Sequence, residues 1–540
     1  MRYIHLVILL AAIGTFTACG HKDTANGRTC FYYNEPQGVS SLDPAFANNK
    51  ANIWPVTQLF NGLVQLNDSL LVEPCIAKQW AISADGLTYT FTLRSDVYFN
   101  RSEVFPDSVG RKVTAADFLY SFNRIKDTKT ASPGEWVFRT VADGGFAAPN
   151  DTTFTITLKE PYAPFLQILT MPYCVVVPHE GIEKYGKDFR SHPVGTGPFF
   201  VKYWYEGNRL ILWKNPNYFE RDAQGQRLPY LDAVSISFIA DKQVAFLEFA
   251  KGQIDMLQDI DGVYKDELLT KGGTLNTKYA NRFYLLSVPY LNTEYMGFLV
   301  DETLPRVQAG VYKDKRIRQA LNYAIDRDKM ARYLRNNMIT PATVGFVPKG
   351  MPSFSANAVK GYGYNPAEAR RLLKEAGYPN GNGLPQLVIN TTANYLDICE
   401  FIQSELSAIG VNSKIEVNES ATHRKIVANQ GMDFFRGSWL ADYPDAENYL
   451  SLFYSKNFAP GGPNYTHFKS AEYDKLFETA MRAVNDSTRF ALYQQLDNMV
   501  VENAPVMFLY YDRAVRFVNR RVSNFTIDSM NRLVLKRVRK

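Results

Sequence analysis

Apolar and polar residues alternate in three well-separated stretches of the chain. Leu87, Tyr89, Phe91 and Leu93 interleave with Thr88, Thr90, Thr92 and Arg94, directly after the turn pair Asp85-Gly86. Phe154, Ile156 and Leu158 interleave with threonines, and Val234, Ile236 and Phe238 with Ser235 and Ser237. Successive strand side chains point to opposite faces, so each stretch predicts a strand with one buried and one wetted face. Helical spacing takes over elsewhere. A helix is predicted over 114–124, where Phe118 and Phe122, with the adjoining Ile125, line one face and Thr114 with Asp117 approximates a capping box. A longer helix is predicted over 315–335, with Ile317, Leu321, Ala324 and Ile325 on one face. Asn365-Pro366-Ala367-Glu368 supplies a cap, a proline at the first helical position and a glutamate at N3, for a helix that stops at Gly377. Two more helices are predicted over 471–484 and 487–502, the latter halted before Pro505. Strands mixed with helices and no repeating period indicate an α/β or α+β multidomain protein, not a solenoid.

The N-terminus departs from this pattern. Arg2 precedes an apolar run over 6–16, long enough for the core of a signal peptide and too short to span a bilayer as a mature helix. It ends at Phe16-Thr17-Ala18-Cys19-Gly20, where small residues before a cysteine resemble a bacterial lipobox. The expectation is a signal peptide over 1–18, lipidation at Cys19 and a flexible polar tether over 19–29. The mature protein is then a body in the periplasm or cell envelope, held to a membrane by lipid.

Composition narrows the functional classes. A chain of 540 residues is too long for one core and should hold two or three domains. Its 46% hydrophobic and 21% charged residues are ordinary for a globular protein. The formal charge of +6 is spread along the chain, and the only concentrated basic stretch is the tail Leu535-Lys536-Arg537-Val538-Arg539-Lys540. A nucleic-acid binder would show a denser basic face with interleaved aromatics, so no nucleic-acid partner is expected. Cys30, Cys75, Cys174 and Cys399 are too widely spaced for a CxxC site; disulfides are permitted outside the cytoplasm, but buried free thiols are preferred. The histidines never fall at ligand spacing, so neither metal nor cofactor is expected. There is no GxSxG elbow, and Gly195-Thr196-Gly197 runs into Pro198-Phe199-Phe200 where a phosphate loop would open a helix; it reads as a tight turn into a strand. The chain is not expected to be an enzyme.

The segment Trp439-Leu440-Ala441-Asp442-Tyr443-Pro444-Asp445 carries the most chemistry. Aromatic faces beside fixed carboxylates are what a pocket needs to hold an organic ammonium group. The same residues also describe a solvated acidic turn closed by Pro444.

Several segments, taken in order, resemble one family. They are Ser41-Leu42-Asp43-Pro44; Ala77-Lys78-Gln79-Trp80 leading through Asp85-Gly86 into Tyr89-Thr90-Phe91-Thr92-Leu93-Arg94; Val113-Thr114-Ala115-Ala116-Asp117-Phe118; and Val194-Gly195-Thr196-Gly197-Pro198-Phe199. Arg316-Ile317-Arg318-Gln319-Ala320-Leu321-Asn322-Tyr323-Ala324-Ile325-Asp326-Arg327 and Ala369-Arg370-Arg371-Leu372-Leu373-Lys374-Glu375-Ala376-Gly377-Tyr378 follow. The ordered set resembles the family 5 extracytoplasmic solute-binding proteins of ABC transporters, the oligopeptide, dipeptide and nickel group. The resemblance implies a mixed α/β, two-lobe periplasmic binding protein fold with an extra domain inserted in the first lobe. Mapped by the motifs, lobe one is 30–60 with 187–289 and 505–540, the insert is 61–186 and lobe two is 290–504.

It also implies roles. Trp439 and Asp442 match a Trp and an Asp of oligopeptide binders, where the Asp pairs with the peptide's α-amino group. Arg436 matches an arginine used near the ligand's carboxylate end, and Tyr443 is expected beside the ligand. From the residues alone, Arg436 is also a candidate salt-bridge partner of Asp433, and Tyr443 a rim residue. Asp445 reads as structural. Leu440 replaces a cysteine found in some oligopeptide binders, so their local disulfide cannot form here. The function implied is capture of short peptides and delivery to an inner-membrane ABC permease by a lipid-anchored monomer. The alternatives are another cargo on the same fold (nickel chelate, haem or oligosaccharide) or a peptide-sensing receptor.

Overall fold

The computed structural model describes residues 28–259, 261, 264–483 and 485–540. Cys19 and the expected signal peptide lie outside the described residues. None of the described helices is long and apolar enough to cross a membrane.

Three strands organise the molecule: β1 (Phe283–Phe298), β2 (Phe434–Leu440) and β3 (Val506–Asn519). They sit at the middle of an 11-stranded sheet, where β1 lies between β2 and β3. β1 is mostly apolar, half-buried over its first half and buried from Leu291 on, with the polar run Asn292-Thr293-Glu294 inside the buried half. The β1–β3 ladder runs in two halves. Phe283 to Pro289 pair with Asn519 to Arg513, and Thr293 to Gly297 with Tyr511 to Val506, with register irregularities between Pro289 and Thr293 and again between Glu294 and Tyr295. The first half packs into one hydrophobic cluster, where Phe283 and Phe517 meet Phe246 and Phe249. The second half packs into others, where Met296, Phe298 and Leu509 meet Ile317 and Leu321, and Tyr295 and Phe508 meet Phe346. Two strands thus pass from one hydrophobic cluster to the others, and the break in their ladder falls between those clusters.

A four-stranded antiparallel sheet holds the segments Thr88–Leu93 and Thr153–Leu158 as neighbours. Their alternation is realised as read: Tyr89, Phe91, Leu93, Phe154, Ile156 and Leu158 are all buried. The helix Ala115–Lys126 covers this sheet with Phe118, Phe122 and Ile125, and Thr114 N–H donates to Asp117 Oδ2 at 2.8 Å, completing the predicted cap. These residues belong to the same cluster as Phe31 and Tyr33 of the large sheet.

The second half of the chain is more helical, with one correction. The helix expected over 315–335 is two helices, Lys315–Tyr323 and Arg327–Leu334. Asp326 interrupts it by accepting Lys329 N–H at 2.9 Å, an N-cap that competes with helix continuation. Ile317, Leu321, Ala324 and Ile325 are buried together all the same, so the apolar stripe is right although the helix is broken. The helix Pro366–Glu375 starts at Asn365, whose side chain accepts Glu368 N–H at 3.0 Å, and ends before Gly377 at φ +96°.

The Gly195-Thr196-Gly197 turn is a place of close backbone approach. A Cβ at Gly195 would lie 2.1 Å from the Leu59 carbonyl oxygen, which also accepts Gly197 N–H at 2.9 Å. The turn leads into the strand Phe199–Tyr205, as expected. Gly195→Ala should lower the unfolding free energy by about 1–3 kcal/mol. Gly363→Ala, where a Cβ meets open space, should change it by less than about 0.5 kcal/mol; urea denaturation of both variants checks this.

Candidate functional site

β2 delivers the predicted site residues in two directions. Alternate positions of a strand face opposite ways, so Arg436 and Trp439, three residues apart, leave from opposite faces. Trp439 pairs across the ladder with Thr293 and packs against the cluster of Tyr295 and Phe508. Its indole Nε1–H donates to Asn448 Oδ1 at 2.9 Å. The same oxygen accepts Asp442 N–H at 3.3 Å, so the buried amide of Asn448 ties the Trp wall to the following turn.

Asp442 is open to solvent yet recessed among protein atoms. That partial desolvation raises its pKa above the ordinary carboxylate range, offset in part by the Asn448 side chain. Burial, and then the Asp442 charge, pushes the Tyr173 phenol up to about 12, which places Tyr173 of the four-stranded-sheet region near this carboxylate. Among the described residues, no cation neutralises Asp442.

Tyr443 is not the rim residue that the sequence alone allowed. It is only 4% exposed, and its hydroxyl donates to Glu447 and lies 3.5 Å from the Tyr162 hydroxyl, with its ring 6.3 Å from that of Trp136. The ring, directly before Pro444, fills a seam between Trp136 and Tyr162. Asp445 is structural, as read. It is buried, accepts the Tyr493 hydroxyl at 2.6 Å and Glu447 N–H at 3.0 Å, and meets Arg489 Nη2 at 3.2 Å. The Arg489 contact is an ion pair without hydrogen-bond alignment.

Arg436 is not paired with Asp433, which meets Arg306 at 2.9 Å. Its Nη2 donates to the buried Glu294, and its guanidinium carbon stands 3.2 Å over the centre of the Tyr395 ring. Burial works against its charge, but Glu294 and Tyr395 outweigh that and leave its pKa raised. Glu294 leads in turn to Asn292 and Asp512. None of these three was singled out from the sequence. A glutamate directly before the apolar run Tyr295-Met296-Gly297-Phe298 was the available signal, because a buried carboxylate requires a partner. Arg489 and Tyr493 carried no comparable mark.

Beside this cluster a cavity of about 990 Å³ opens, lined among others by Tyr290, Tyr333, Arg335, Asp397 and Asp512. Cys75, Cys174 and Cys399 are buried free thiols, and burial pushes the Cys75 thiol up to about 12. Among the described residues, no group of three or more His, Cys, Asp or Glu side chains is placed to hold a metal ion.

The β1 and β3 strands thus run through several hydrophobic clusters, beside an open carboxylate and a fixed indole. A family model described as bacterial extracellular solute-binding proteins, family 5 middle, matches residues 72–460. The chain belongs to that family. It is thus a mixed α/β, two-lobe substrate-binding protein of the ABC-transporter type, whose work is binding. Over 533 residues it is 27% identical to the glutathione-binding protein GsiB of Salmonella typhimurium, covering 97% of this chain and 96% of that one. It is similar to the periplasmic binding protein DppA from Helicobacter pylori in complex with peptide STSA, with a TM-score of 0.72, 26% identity, and 95% and 99% of the two chains covered. At the level of fold it is similar to HbpA2 from Haemophilus parasuis, with a TM-score of 0.81 at 23% identity over 94% and 99% of the chains.

For this family 5 protein the Arg489–Asp445 pair holds the turn that presents Asp442. Arg489→Met leaves a buried carboxylate uncompensated and should cost about 3–5 kcal/mol in urea denaturation. Adding Asp445→Leu should recover part of that loss, because the single variant's penalty comes from the orphaned charge.

Proposed function

We propose that this protein captures short peptides with a free amino terminus between its lobes and hands them to an inner-membrane ABC permease, working as a lipid-anchored monomer of the cell envelope with Cys19 as the lipidated residue. The lobes are those expected from the motifs: 30–60, 187–289 and 505–540 against 290–504, with 61–186 inserted in the first. The observation that carries the reading is Asp442. A recessed carboxylate with no cation of its own, on a turn fixed by Asn448, meets an ammonium at low reorganisation cost. Trp439 forms the adjoining wall, and Tyr443 supports the turn from its buried seam. The relatives agree in chemistry: glutathione and the peptide STSA both present an α-ammonium group. Between anchor points the peptide lies extended, its backbone bonded and its side chains in wet pockets.

Calorimetry with free and N-acetylated forms of one peptide, on the native protein and on Asp442→Asn, tests this. Acetylation and the substitution should each weaken binding by about 2–5 kcal/mol, and the two together by little more, because both remove one ion pair. Binding of the free peptide should also weaken as pH falls. The ligand ammonium stays charged while Asp442 takes up a proton, and its raised pKa moves that loss to a higher pH than for an ordinary carboxylate. Equal affinity for the acetylated peptide would remove Asp442 as the anchor.

A further inference from the structure

The cavity beside the β1–β3 break carries charges that the amino-terminal anchor does not use. Most are matched. Arg335 meets Asp397 at 2.7 Å, Lys50 meets Asp259 at 3.0 Å and Lys265 meets Asp266 at 3.2 Å. Arg513 gives its guanidinium to Ser287, to the hydroxyl at 2.8 Å and the carbonyl at 3.1 Å. Two wall carboxylates, Asp512 and Glu400, have no cation within salt-bridge distance among the described residues.

Asp512 is the built one. Asn292 Nδ2 donates to Asp512 Oδ2 at 2.5 Å and to Glu294 Oε1 at 3.0 Å, so one amide holds two carboxylates side by side. Behind them Arg436 answers Glu294, and Tyr395 closes over the guanidinium. Arg335 and Arg436 act on Asp512 only from a distance, and each already has a carboxylate of its own. Burial pushes both carboxyls up, Glu294 to about 7, and the Asp512 charge adds to the shift on Glu294. The cluster sets two carboxyls, Glu294 and Asp512, against the single guanidinium of Arg436, and Asp512 lines a cavity with Tyr290 and Tyr333 in its wall, where an arriving cation would draw both carboxyls into their charged form. Such a wall attracts an ammonium or guanidinium and repels a carboxylate. Arg436, already neutralised, does not reverse this.

We infer that the cavity receives a positively charged ligand side chain, with Asp512 as its counter-ion and the main determinant of charge selectivity. The preferred cargo is then a basic short peptide. The inference deepens the peptide reading and rests on it for the ligand's backbone, but not for its charge.

Tripeptide pairs carrying lysine or norleucine at the second or third residue are titrated into the purified protein by calorimetry, with a glutamate tripeptide, glutathione and 1,5-diaminopentane as further probes. In at least one pair the lysine peptide should bind at least about tenfold tighter than its norleucine partner, with the acidic peptides weaker still. Asp512→Asn, its fold checked by thermal denaturation, should bring each pair within about twofold while keeping norleucine-peptide affinity. The comparison of lysine with norleucine uses the unaltered protein, so it decides even if the variant is unstable. Norleucine peptides, glutamate peptide or glutathione binding as tightly as the lysine peptides would overturn the inference and leave the peptide reading standing. Binding of the diamine alone, lost in Asp512→Asn, would sink the peptide reading and keep the charge assignment. Failure of both the lysine peptides and the diamine to bind would overturn the charge assignment.

Discussion

The ladder between β1 and β3, and the place where it breaks, is the constraint on which the rest of the molecule depends. Backbone N–H and C=O groups buried in a sheet must find partners, and a ladder interrupted in mid-strand leaves some without. Here other segments supply them. Leu291 N–H donates to the Ser529 carbonyl at 2.9 Å, and the Leu291 carbonyl accepts Ala441 N–H at 2.9 Å together with the Tyr449 hydroxyl. The break is thereby joined to the turn that carries Asp442. The Asn292 amide, one residue on, reaches Glu294 and Asp512. The Asp442 turn and the carboxylate pair both sit against the interrupted ladder.

Much of the local structure could be read from the chain. The strands around Phe91 and Phe154 were legible because half-buried strands alternate, and the caps at Thr114 and Asn365 because capping partners lie within a turn. The helix break at Asp326 was hidden, since the apolar stripe runs through it unchanged and a single capping carboxylate decides the matter. Asp442, Trp439 and the structural role of Asp445 were read from one short segment and its resemblance to a family. Their partners divide by distance: Asn448 lies within the same segment, whereas Arg489, Tyr493, Tyr173 and Tyr162 are brought there only by the fold. The Asp433 pair that the residues around Arg436 allowed does not form, because Asp433 is near only in sequence while Glu294 is near across the sheet. The rim reading of Tyr443 fails for a similar reason, since the seam that buries it is formed by Trp136 and Tyr162.

The two kinds of charge at the site differ in their physical setting. The Arg489–Asp445 and Arg436–Glu294 pairs are buried and internally compensated, so they hold geometry and contribute little selectivity of their own. Among the described residues Asp442 and Asp512 have no cation within salt-bridge distance, and it is the unmatched charge that can discriminate among ligands. The compensated pairs keep the uncompensated groups in place.

The shared cluster that joins Phe31 and Tyr33 to Phe91, Phe118 and Phe154 bears on how the molecule comes apart. A segment whose aromatic side chains complete a neighbour's core has no core to keep when that neighbour melts. The four-stranded sheet and the first body of the large sheet therefore form one cooperative unit. The helical second half, with clusters of its own, forms another, and the two are spliced by β1 and β3. Tyr443 belongs to the first unit's cluster while Trp439 packs on the second, so the Asp442 turn is held by both, and loosening either one can disturb it before most of the fold is lost.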